Sequence, residues 1–157
     1  MTSEEIALLL REKNITLSVA ESCTGGMVGS LLTSMPGSSD FFLGGVVTYS
    51  NQSKENILHV SHSVLERFGA VSKETASEMS TGVMSLFSSD ISASVTGIAG
   101  PGGGTDLKPV GLVFTAVFDG KIIDVRKHLF EGDRATVRAS AAEAVFSHIE
   151  DLVRNRI

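Results

Sequence analysis

Apolar and polar positions alternate along the chain with two different periods. Ile6, Leu9 and Leu10 recur at helical spacing, behind a Thr2–Glu5 pair that reads as a capping box. The run ITLSVAES then reads as a strand. Helical spacing returns at Met27, Val28, Leu31 and Leu32, with Thr24 or a neighbour as the cap. MPGSS is a loop, and FFLGGVVTYS reads as a strand buried on both faces. KENIL begins a short helix and HSVLERFG reads as another. Ser72 caps a longer helix with Glu74 in its first turn and Ala76, Met79, Val83 and Phe87 on one face. ISASVTGIAG and VGLVFTAVF are strands, and Asp119-Gly120 turns the chain as a hairpin into KIIDVRKHLF. Asp133 caps a closing helix that turns Val137, Ala141, Val145, Ile149 and Leu152 inward, with Arg154 and Arg156 favourably placed at its end. Helices early, midway and late around five strands predict a three-layer α/β/α fold. The hairpin makes its sheet mixed.

Composition narrows the picture. A chain of 157 residues is expected to form one domain, residues 1–157, with a substantial core. Its net charge of −5, with no basic cluster, argues against a nucleic-acid surface. The longest apolar runs are far too short to span a bilayer, and the first residues lack a basic n-region and cleavage site. One cysteine excludes an internal disulfide and a cysteine zinc cluster. A cytoplasmic protein without membrane association is expected, and a symmetric dimer is the commonest assembly for such a chain.

Two glycine-bearing junctions interrupt the pattern. VAESCTGGMVGS places Glu21, Ser22, Cys23, Thr24, Gly25 and Gly26 between a strand and a helix. VTGIAGPGGGTDLKPVG carries glycines at 97, 100, 102, 103 and 104. Glycine lets backbone approach a ligand, and exposed N–H groups make anion nests. Neither a G-x-G-x-x-G nor a Walker A pattern fits, which leaves dinucleotide and ATP binding with little support.

Five motifs in order, AESCTGG, GGVVTYSNQSK, FGAVS, VTGIAGPGGGTDLKPVG and EGDR, resemble the CinA C-terminal domain family, whose enzymatic members are nicotinamide-nucleotide amidases. The resemblance runs from about Val19 to Arg134. It implies hydrolysis of nicotinamide mononucleotide to nicotinic acid mononucleotide and ammonia by a serine/lysine mechanism, with no cofactor and no metal. Ser22 matches the nucleophile and Lys54 the base, and Tyr49 matches a position of the same catalytic set. Thr96 and Arg134 match positions tied to the active site. The two glycine junctions supply the remaining substrate contacts, from Thr24, Gly25 and Gly26 and from Gly97, Gly100, Gly102 and Gly103. Many family members carry a further N-terminal domain, so the chain resembles the stand-alone form. A non-catalytic nucleotide-binding or partner-binding module, tied to competence or DNA damage, is the alternative the family offers.

The chemistry is consistent with those residues. An amide needs an activated nucleophile and a stabilised oxyanion. Backbone N–H groups at the start of the next helix are the expected oxyanion donors. Ser22 follows a strand and precedes two glycines, although G-x-S-x-G is not the pattern. Lys54 works as a base only when neutral. That requires its ordinary pKa, about 10.4, to fall by roughly 3, which burial supplies. Spacing alone also allows duller roles. Ser22 and Thr24 are good helix caps, Lys54 reads as a solvated helix residue, and Cys23 as a small buried hydrophobe. Tyr49 can pack at a strand end, Arg134 can pair with a nearby acid, and Glu21 can bond the N–H groups of the turn.

Overall fold

The structure, a computed structural model, describes residues 1–156, with side chains to residue 155. Six helices and five strands follow in chain order: α1 (Ser3–Lys13), β1 (Leu17–Glu21), α2 (Met27–Leu32), β2 (Phe42–Val47), α3 (Asn51–Leu58), α4 (His62–Phe68), α5 (Lys73–Phe87), β3 (Ile91–Gly97), β4 (Leu112–Phe118), β5 (Ile123–Leu129) and α6 (Arg134–Arg156). The strands form one sheet in the order β2-β1-β3-β4-β5. β1 pairs parallel with β2 and β3, and the β3–β4 and β4–β5 pairs are antiparallel. This is the mixed five-stranded sheet the pattern predicts.

Alternate residues of the central strands meet two different layers. Leu17, Val19, Ile91, Ala93, Val95, Val113 and Val117 pack against α1, α2 and α6, where Val137, Ala141, Val145, Ile149 and Leu152 are all buried. The opposite face is lined by small polar residues. Ser18, Ser92 and Ser94 donate to the carbonyls of Val83, Ser80 and Ala76 on α5. Short side chains let α5 lie close, and hydrogen bonding offsets the cost of burying each hydroxyl. Leu58, Leu65, Met79 and Val83, from α3, α4 and α5, complete this second core around Ala20.

The capping signals are where they were expected. Thr2 and Glu5 form a capping box on α1, Ser72 accepts from Thr75 N–H, and Asp133 Oδ1 accepts from Thr136 N–H at 2.8 Å. Two details differ. β2 is an edge strand that alternates between half-buried and exposed residues, so it is not buried on both faces. Among the described residues no strand pairs along its outer side, which a run of apolar residues alone does not reveal. The helix containing Lys54 begins earlier than expected, because the Ser50 side chain caps it at Ser53 N–H. Arg154 donates to Glu150 on its own helix, and the side chain of Arg156 lies outside the described residues.

Candidate active site

β1 continues to β2 through α2 on one layer. The chain then crosses beneath to β3 through α3, α4 and α5 on the other. The loops leaving the carboxyl ends of β1 and β3 therefore diverge, and a crevice opens between them. Ser22, Cys23, Tyr49, Lys54, Ala70, Val71, Thr96, Gly97, Ala99 and Arg134 line this cleft of about 150 Å³. Larger hollows, of about 440 Å³ beside Met1 and Phe146 and about 550 Å³ beside Leu8 and Arg11, hold no nucleophile paired with a base.

At the floor of the cleft, Lys54 Nζ lies 3.0 Å from Ser22 Oγ. It also donates to the carbonyls of Thr48, at 2.7 Å, and Tyr49, at 3.4 Å. Lys54 is only 1% exposed. Burial lowers its pKa to about 8, with the nearby Cys23 thiol opposing the fall. Of its three partners the two carbonyls can only accept, whereas Ser22 carries a proton it can give. In the neutral amine, two N–H groups face the carbonyls and the lone pair faces the serine. Ser50 makes this possible by starting α3 early enough to carry Lys54 one turn inward. Cys23 is buried beside Ser22, and desolvation pushes its thiol up to about 11.

Glu21 holds the nucleophile turn together. Its carboxylate accepts from Thr24 Oγ1 at 2.5 Å and from the N–H groups of Gly26, Val28 and Gly29. The α2 N-terminus is thereby satisfied by an acid from the preceding strand, as the helix dipole favours. This overturns two expectations. Thr24 gives its hydroxyl to Glu21 instead of capping α2, whose N-cap is Gly26. The helix-start N–H groups are occupied and cannot serve an oxyanion.

The other residues anticipated from the sequence divide by position. Thr96 is buried in the cleft wall and donates to Ala70 O at 2.9 Å. Gly97 also lines the cleft, where a Cβ would meet Val113 at 2.6 Å. Arg134 donates to Gly100 O at 2.8 Å and to the Tyr49 hydroxyl at 3.1 Å, bridging the cleft mouth. The Tyr49 side chain is 62% exposed, so it stands at the rim, and only its carbonyl reaches Lys54. Thr24, Gly25, Gly26, Gly100, Gly102 and Gly103 belong to the two flanking turns and are not among the lining residues. Among the described residues, no group of three His, Cys, Asp or Glu is arranged to hold a metal.

Two residues escaped the sequence. Arg138 donates through Nε to Cys23 O at 3.1 Å and through Nη2 to Thr24 O at 2.9 Å. Its spacing of four from Arg134 puts both on one face of α6, the one signal that pointed to it. Lys108 Nζ donates to Phe68 O and so ties the second glycine loop to the end of α4.

The molecule is thus a three-layer fold with a buried serine–lysine pair at the crevice of its sheet. Residues 1–153 match the CinA C-terminal domain family, and the chain belongs to it. It is 45% identical over 153 residues to a CinA-like protein of Thermotoga neapolitana, which covers 98% of this chain and 37% of that protein. The chain thus spans about a third of the length of the curated relatives it matches. Among solved structures, a CinA superfamily protein from Klebsiella pneumoniae superposes with TM-score 0.94 at 34% identity, covering 97% of this chain and 95% of that one. A competence damage-inducible protein A from the same species also gives 0.94, at 32% identity and with complete coverage of both chains. Among the described residues, no helix is long and apolar enough to cross a membrane.

Proposed function

We propose that the protein hydrolyses the amide of nicotinamide mononucleotide, releasing nicotinic acid mononucleotide and ammonia. The observation that supports this most is the 3.0 Å contact between a buried Lys54 and Ser22 Oγ. With a pKa near 8, about a tenth of Lys54 is neutral at pH 7. The neutral amine takes the proton of Ser22, and Oγ bonds to the amide carbon. The tetrahedral adduct collapses as the Lys54 ammonium returns the proton to the departing nitrogen, and ammonia leaves. Water then attacks the acyl-serine and gives a proton to Lys54. Collapse of the second adduct frees the acid and restores Ser22. The mechanism uses no metal or cofactor.

Typical ligand pockets measure about 300–1,000 Å³. A cleft of about 150 Å³ therefore suits the amide-bearing end, with the ribose and phosphate outside. There Arg134 and the loop from Gly97 to Gly104 offer a guanidinium and exposed N–H groups to an anion. Ammonia release from nicotinamide mononucleotide by the purified protein tests the reading. Nucleotide binding without turnover would favour a non-catalytic nucleotide-binding or partner-binding module instead; one Klebsiella relative carries the name competence damage-inducible protein A.

A further inference from the structure

Hydrogen bonding within the nucleophile turn leaves two N–H groups over. Ser22 N–H donates to Val95 O, Gly25 N–H to Ser22 O, and Met27 N–H to Thr24 O. Those of Gly26, Val28 and Gly29 go to Glu21. Cys23 N–H has only its own thiol beside it. Thr24 N–H has no acceptor among the described residues. These two groups directly follow the nucleophile, where hydrolases of several folds carry an oxyanion donor.

Their direction is set from α6. A trans peptide is planar, so its carbonyl and N–H point opposite ways. The Cys23 carbonyl is held by Arg138 Nε, which turns the Thr24 N–H away from α6. The Thr24 carbonyl is held by Arg138 Nη2, which turns the Gly25 N–H back onto Ser22 O. That bond fixes the Ser22–Cys23 peptide, and with it the Cys23 N–H. The planar guanidinium fork is pre-organised to hold the two successive carbonyls at fixed angles. Gly25, at φ +60°, turns the chain there, and a Cβ at this position would lie in ordinary contact with Arg138 Nη2 at 3.4 Å.

We propose that the N–H groups of Cys23 and Thr24 receive the oxyanion formed when Ser22 attacks, and that Arg138 is the positioning residue that aims them. The proposal rests on the amidase reading above.

The test uses the full chain with Arg138→Lys and Arg138→Met, nicotinamide mononucleotide as substrate, and hydrogen–deuterium exchange of the turn. Misaimed oxyanion donors should lower kcat about a hundredfold with KM nearly unchanged. The acidic limb of the pH profile should stay where it is, because Arg138 does not touch Lys54. Exchange within residues 22–26 should quicken, with Arg138→Lys between the wild type and Arg138→Met. Unchanged kcat with unchanged exchange would overturn the proposal. So would a loss carried entirely by KM, or a displaced acidic limb. If Arg138→Met fails to fold, Arg138→Lys, which keeps the charge but lacks the planar fork, decides alone. A wild type without turnover would end the amidase reading and the oxyanion role with it. In that case the exchange rates would still decide whether Arg138 holds the turn.

Discussion

Two glycine-bearing turns hang from neighbouring parallel strands, and they are built in opposite ways. The turn after β1 is tied along most of its length: Glu21 takes the N–H groups of Gly26, Val28 and Gly29, and Arg138 the carbonyls of Cys23 and Thr24. Ser22, Cys23 and Thr24 are all buried in it. The loop after β3 is fixed at separated points, by Arg134 at Gly100 and by Lys108 at Phe68, and a Cβ added at Gly102 between them would meet nothing within 4 Å. A group that makes bonds must be held within fractions of an ångström, whereas one that receives a variable or polar ligand part must yield. One chain uses glycine for both purposes, and the difference lies in what surrounds it.

Breaking the tight turn at its nucleophile should have the largest effect. Ser22→Ala should abolish ammonia release, while Cys23→Ala should keep most of it. A thiol with a pKa near 11 stays protonated at neutral pH and is a poor nucleophile. Loss of activity in Cys23→Ala, with thiol reagents inactivating the wild type, would transfer the chemistry to the sulfur. Lys54→Arg should come next, with kcat lowered about a thousandfold, because guanidinium does not deprotonate. In the wild type, kcat/KM should rise with pH and level off above about 8. The sign follows because the protonated form, which cannot act as a base, dominates below that value. Substantial kcat in Lys54→Arg across pH would make the lysine an electrostatic clamp.

Stability distinguishes the turns more gently. Glu21→Ala should strip a buried carboxylate from three N–H groups and a hydroxyl, costing about 3 kcal/mol and lowering Tm by roughly 10 °C. In the open loop, Gly100→Val should lower Tm by a few degrees. A Cβ there would lie 2.4 Å from Val110, and φ is +82°. Gly102→Val should leave Tm within about a degree, since open space surrounds the site. Its KM should still rise if this backbone meets the nucleotide. An unchanged KM at Gly102 would confine binding to Arg134 and the cleft.

Local signals made most of the fold legible. Thr2, Ser72 and Asp133 announce their helices through side-chain oxygens that act within three residues. The Asp119-Gly120 hairpin acts over similar distances. Residues matched by family resemblance, Ser22 and Lys54, do meet. What stayed hidden is long-range. Whether FLGGVV is flanked by one strand or two depends on sheet order, which no pattern within β2 records. The burial of Lys54 depends on α3 being capped at Ser50 and aimed beneath the cleft. The bonding of Glu21 to the turn's N–H groups is legible as one of its roles, and the structure shows it at the start of α2. Arg138 reads as a surface arginine until the turn after β1 is placed beside α6.

The clamp on the nucleophile turn also has a history in time. Arg138 lies 115 residues beyond Cys23 along the chain. A ribosome adds about 5–20 residues per second, so the turn waits roughly ten seconds before its arginine exists. The central pairing of β1 with β3 is similarly deferred, since Thr16 and Asp90, which bond at its start, are 74 residues apart. Closing a loop of that length costs about 4 kcal/mol of chain entropy before any contact is gained. The earliest-made part of the site is therefore the last to be completed. A chain interrupted between Lys54 and α6 carries its serine and its lysine but lacks the helix that holds the nucleophile turn.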